Sequence, residues 1–66
     1  MTYSWMQGNT SIVVTLYKDG AGANVRMQRP QIERQPAINN WWETDRKYAE
    51  DMIARARRAG RIIKES

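Results

Sequence analysis

The chain has 66 residues, with 11 lysines and arginines against 7 acids for a formal charge of +4, and it contains no histidine and no cysteine. At this length a folded protein hides only about 60% of the surface its unfolded chain exposes, so we expect one domain over residues 1–66 with a small core. Disulfides and the usual zinc-ligand sets are excluded, as are a histidine base tuned near neutrality and a cysteine nucleophile.

Residues 2 to 6, 10 to 17 and 23 to 28 read as strands separated by glycine-bearing turns. With Gly8-Asn9 as a two-residue hairpin loop, Trp5 faces Ile12 and Tyr3 faces Val14. Asp19-Gly20 in the same role pairs Leu16 with Ala23, Val14 with Val25 and Ile12 with Met27. Both turns independently place apolar side chains on one face. A four-residue loop over Asp19 to Gly22 would shift the second register by two residues and leave the faces unchanged. The opposite face carries Ser4, Met6, Ser11, Val13, Thr15, Tyr17, Asn24, Arg26 and Gln28. From Arg29 to Asn40, Pro30 and Pro36 discourage helix and interior strand, leaving a connection with room for a short edge strand around Gln31 to Arg34.

The final third reads as a helix. Asn40 followed three residues later by Glu43 has the form of a capping box. Glu43 with Lys47, and Asp51 with Arg55, are acid-before-base pairs at four-residue spacing. At 100° per residue Trp42, Ala49, Met52, Ile53 and Ala56 share one side, flanked by Trp41 and Tyr48. Gly60 suits a left-handed terminator, after which Ile62 and Ile63 either add a strand or dock on the core. The expected fold is α+β, a small three-stranded antiparallel meander with one C-terminal helix packed on its apolar face. Self-association is a usual remedy for so small a core, which makes a homo-oligomer a standing expectation.

Candidate binding residues concentrate at the C-terminus. Arg57, Arg58 and Arg61, joined by Arg55 and Lys64, crowd the last dozen positions, and on a helical wheel the first three share the solvent side with Arg46 and Lys47. Cations there complement the helix dipole. Three arginines among four exposed positions exceed what that needs, and guanidinium groups suit phosphates spaced along a backbone. On the outer sheet face Tyr17, Arg26 and Arg34 form a second group, an aromatic beside arginine being how small sheets stack unpaired bases. Trp42 is expected in the core, with Trp41 at its margin as an interface anchor. Asp45 falls near the centre of the helix's apolar stripe, so it is either wet and close to the helix N-terminus or paired with Arg26 or Arg34.

No enzyme is expected, and neither a metal nor a cofactor. Gly20-Ala21-Gly22 lacks the continuation of a phosphate-binding loop. Met1-Thr2-Tyr3-Ser4-Trp5 has no signal-peptide character, and no stretch approaches the roughly 20 apolar residues that cross a bilayer, so a cytoplasmic chain with no membrane contact is expected. The chain reads as a small basic binding module that engages an anionic surface, nucleic acid first, through the C-terminal arginine cluster. The alternative is contact with an acidic protein surface on a larger, nucleic-acid-processing machine. In style, with no motif behind it, the sequence resembles the accessory and inhibitor proteins of phages and other mobile elements. Sequestration of a small anionic nucleotide is a lesser alternative.

Overall fold

Alternation of β-branched and aromatic residues with polar ones carries the first half of the chain into strands. In the computed structural model, which describes residues 1–66, β1 (Thr2–Gln7), β2 (Thr10–Leu16) and β3 (Gly22–Arg29) form the expected antiparallel meander. The registers agree with those read from the turns: Trp5 opposite Ile12, Tyr3 opposite Val14, Leu16 opposite Ala23, Val14 opposite Val25 and Ile12 opposite Met27. Gly8, first in its two-residue loop, has φ 63°, a backbone region that glycine enters without cost. The second hairpin closes on the Tyr17 N–H to Gly22 carbonyl bond of 3.2 Å. Its loop is therefore Lys18 to Ala21, a residue longer at each end than Asp19-Gly20, and the register is the same.

The sheet has five strands, not three, in the order β4-β3-β2-β1-β5. The fourth, β4 (Ile38–Asp45), runs antiparallel along β3 from Gly22 opposite Asp45 to Arg29 opposite Ile38. The fifth, β5 (Lys64–Glu65), closes the other edge against Tyr3 and Ser4. The segment from Gln31 to Arg34 is no edge strand. Ile32 and Gln35 exchange backbone bonds of 3.2 and 2.8 Å around a tight turn in which Glu33 takes φ 50°.

The single helix, α1 (Arg46–Arg58), starts later than an Asn40 cap would place it. Asp45 is the N-cap: its backbone is extended (φ −77°, ψ 159°) and its carboxylate accepts the Tyr48 N–H at 2.7 Å. Aspartate caps as well as asparagine. Ile38, Trp41, Trp42 and Thr44 suit a strand, and the edge of β3 offers this segment eight paired positions. The Asn40 and Glu43 capping box therefore does not form, and Glu43, on the strand, makes no pair with Lys47. Asp51 does pair with Arg55 (2.9 Å), and Arg46 pairs with Glu50 (3.4 Å). Gly60, with φ 79°, ends the helix as expected. Its N–H reaches the Arg57 carbonyl and the Arg61 N–H reaches the Ala56 carbonyl, both at 3.0 Å, which is the Schellman pairing.

Tyr3, Trp5, Ile12, Val14, Leu16, Ala23 and Val25 form the sheet's side of the core, and Ala49, Ile53 and Ala56 are the helix's side. Two alanines among the three let α1 lie close against the strands. Met27, Trp42, Met52 and Ile63 pack at the margin, so Trp42 does join the core, from a strand and only half-buried. The Trp5 indole N–H is buried without a partner, a local cost against the surrounding apolar burial.

Replacing Asp45 by Ala should lower stability by about 1 kcal/mol in urea unfolding followed by tryptophan emission, whereas Asp45→Asn, which still caps, should cost only a few tenths. A loss on Asn40→Ala with no loss on Asp45→Ala would restore the earlier helix start.

Candidate functional site

Directly paired strand residues share a face. Tyr3, Val14, Val25 and Trp42 line up beneath α1, so the adjacent row, Lys64, Ser4, Val13, Arg26 and Trp41, belongs to the opposite face. All the helix's buried residues meet the first face, and no other element lies over the second. A sheet with one helix has one bare face, and here Trp41 stands on it, 66% exposed.

The alternation of the β3–β4 ladder brings Trp41 and Arg26 close. The Arg46 N–H bonds the Ala21 carbonyl, so the even-numbered residues of β4 exchange bonds with β3 and the odd-numbered ones do not. Trp41 opposite Arg26 is thus a non-hydrogen-bonded pair, the kind with Cα atoms about 4.5 Å apart and side chains nearest each other. Around them Asn24, Arg26, Asn39 and Trp41 line a hollow of about 400 Å³. The Asn24 Nδ2 donates to the Trp42 carbonyl (3.3 Å) and Gln28 Nε2 donates to Asn39 Oδ1 (3.4 Å). Asn24 Oδ1 and Asn39 Nδ2 stay unpaired, one an acceptor and one a donor.

Tyr17 belongs to the same face but not to the same place. Its ring lies over Gly22, where an added Cβ would come within 3.1 Å of the ring carbon Cδ2, and its hydroxyl donates to Glu43 Oε1 at 3.2 Å. Glycine at position 22 is what lets the ring cross β3. Arg26 lies four residues further along β3 than Gly22, and Arg34 sits in the Ile32–Gln35 turn, off the sheet. The expected grouping of Tyr17, Arg26 and Arg34 does not form; Trp41 is the aromatic beside Arg26. Asp45, as the cap, pairs with neither Arg26 nor Arg34.

The C-terminal cations separate in space. Arg55 is held by Asp51 and Arg46 by Glu50, while Arg46 also donates to the Tyr17 carbonyl (3.4 Å). The Arg57 guanidinium lies over the Tyr3 ring, 5.9 Å from its centroid. Arg58 and Lys47 project from the back of α1, eleven residues apart, or roughly 16 Å at the helical rise. Arg61 is past the Gly60 turn, so it leaves the helical ridge. It lines a hollow of about 490 Å³ with Lys64, Ile62, Ser4, Met6 and Ser11, at the β1–β5 rim of the bare face. The sequence cluster thus divides into a helix-side group, Arg57 and Arg58, and a rim group, Arg61 and Lys64.

The signal for β4 lay in Ile38, Trp41, Trp42 and Thr44 following Pro36. Asn24 and Asn39 had no signal apart from that strand. No three carboxylates converge as metal ligands. No helix is long and apolar enough to cross a membrane. The fold and its bare, tryptophan-bearing face define a small basic α+β protein with a five-stranded antiparallel sheet. No protein-family model matches the chain, and neither a curated protein nor a solved structure matches it.

The Tyr17 hydroxyl is held above the ordinary tyrosine value near 10, first by burial, then by its hydrogen bond to Glu43 and that carboxylate's charge. Because the folded value is raised, the contribution to stability is present below about pH 10 and is lost as pH climbs through the folded value. In an ultraviolet titration of tyrosinate, assigned with Tyr17→Phe, Glu43→Gln should move the Tyr17 midpoint down. An unmoved midpoint would remove Glu43 as a cause.

Proposed function

We propose that this protein is a non-enzymatic binding module that takes single-stranded nucleic acid across the bare face of its sheet. The observation that carries this is Trp41, an exposed indole on a strand, directly opposite Arg26. An indole fixed in this way is a platform for an unpaired base, and such stacking contributes about 1–3 kcal/mol. Arg26 is suited to the adjoining phosphate, and the free Asn24 and Asn39 groups to the edge of the stacked base. From Trp41 the row crosses Val13 and Ser4 to Lys64, with Arg61 at the rim, roughly 19 Å at the spacing of neighbouring strands. A strand laid along it meets a cation beside Trp41 and others at the far end. Bases within a duplex are stacked on one another and cannot lie on Trp41, which favours single strands. Arg57 and Arg58, on the helix side, add to the long-range field rather than to the contacts.

Anisotropy of a labelled oligonucleotide tests this. Trp41→Ala should weaken single-strand binding roughly 5- to 150-fold, the range set by stacking, with the fold intact. Contacts from Arg26, Arg61 and Lys64 should give a log–log salt slope of about −2, made shallower by Arg26→Gln. Wild-type affinity in Trp41→Ala, together with collapse in the Arg57, Arg58 and Arg61 to Gln triple variant, would move binding to the helix end.

Ile62 supports a second role. It is 85% exposed and Met6 is 55% exposed, both beside Arg61 and Lys64. Apolar anchors rimmed by cations suit an acidic protein face, such as one on a nucleic-acid-processing machine. If no oligonucleotide binds even at low salt, and Ile62→Ser abolishes capture of a protein partner from the source cell, this becomes the function.

A further inference from the structure

We propose that the free edge of β4 is a self-association surface, along which two copies pair antiparallel and join their five-stranded sheets into one of ten strands. This stands independently of nucleic-acid binding. The two edges of the sheet are treated differently. On the β1 side, β5 covers the edge with Lys64 and Glu65, and Thr2 and Ser66 exchange two further bonds of 2.9 Å. On the other side β4 presents eight residues, with no proline, no lysine, no arginine and no break in its register. Natural sheets blunt a free edge with proline, bulges and charge, lysine above all; on β4 the charges are confined to Glu43 and Asp45 at one end, which leaves Ile38 to Trp42 as a template for another strand.

The backbone geometry is ready for such a strand. The even-numbered residues of β4 bond to β3, so the N–H and C=O groups of Asn39, Trp41 and Glu43 point outward. These alternate positions are what an antiparallel neighbour requires. Charge narrows the register. Glu43 and Asp45 are the strand's charged residues, so registers that set Glu43 against its own copy are repulsive. Centring the two-fold axis on Trp41 places Trp41 opposite Trp41 of the second copy and Glu43 opposite the second copy's Asn39. The two bare faces then lie on the same side, with both indoles at the seam.

The chain is more open than its mass requires. It exposes 4970 Å², against roughly 4,300 Å² expected for a monomer of its mass. Its radius of gyration is 12.4 Å, where about 11 Å is usual for this length.

Sedimentation of nucleic-acid-free protein should give a mass near twice the 7.7 kDa chain. Asn39→Pro removes an outward N–H and no backbone bond to β3, losing in addition only the exposed Gln28 Nε2 to Asn39 Oδ1 contact, so it should give the single-chain mass with an unchanged circular dichroism spectrum. If that variant fails to fold, Trp41→Cys decides. The chain has no other cysteine, and a central hydrogen-bonded pair brings Cα atoms to about 5.5 Å, within disulfide range. Mild oxidation should cross-link Trp41→Cys and spare Asn40→Cys. A wild-type chain that stays at single mass up to roughly millimolar concentration, a dimer that survives Asn39→Pro, or a Trp41→Cys chain that does not cross-link would each overturn the proposal.

Discussion

A single 13-residue helix can cover one face of a five-stranded sheet, and the two-residue period of the strands decides which face that is. The turns at Gly8-Asn9 and Lys18 to Ala21 hold β1, β2 and β3 in a register that gathers Tyr3, Trp5, Ile12, Val14, Leu16, Ala23 and Val25 on one side. A slip of one residue would turn all of them to water. Once they are gathered, α1 closes over them through Ala49, Ile53 and Ala56, and no element remains to cover the other side. The bare face is thus a consequence of chain length and strand parity. Placing a large indole on it, where a polar side chain would do for solubility, is the feature that parity does not explain.

Hairpin geometry is local, and so the meander was legible. Glycine-bearing turns and alternating apolar residues fixed three strands, their registers and the polarity of their faces with no long-range information. The strand β4 was not legible, because its segment satisfies two local rules at once. Asn40 with Glu43 imitates a helix start, and Trp42 falls in phase with Ala49, Met52, Ile53 and Ala56 on a helical wheel. What decides between them is the edge of β3, a partner far away in sequence. Aspartate at position 45 then caps the helix five residues later than asparagine at position 40 would. The shift matters because adjacent residues diverge by about 100° on a helix and lie on opposite faces of a strand. Trp42 reaches the core from either element. Trp41 passes from the margin of a helix to the middle of a bare sheet face.

Sequence density of charge was a poor guide to charge in space. Arg55, Arg57, Arg58, Arg61 and Lys64 are neighbours in the chain, yet a carboxylate, an aromatic ring, the back of a helix and a Schellman turn send them four ways. The turn at Gly60 contributes most to this dispersal. By ending the helix it reverses the chain, so that Arg61 and Lys64 come to the rim of the face that carries Arg26. Cations from the middle and the end of the sequence thus border one surface, while near neighbours in sequence lie on opposite sides of the molecule.

Residues 59 to 66 close one edge of the sheet through β5, and nothing comparable closes the other. The open edge and the open face therefore meet along β4, and they meet at Trp41. Its backbone belongs to the edge, since its N–H and C=O point away from β3; its side chain belongs to the face, opposite Arg26. The two properties are chemically separable, because a change that removes a neighbouring outward N–H leaves the indole in place, and one that truncates the indole leaves the edge bonds intact. If both surfaces are used, pairing across the edge sets two indoles side by side with an arginine beyond each. The track for a strand then doubles in length with no further residue added to the chain, which gives a 66-residue protein a larger binding surface than its own core can support.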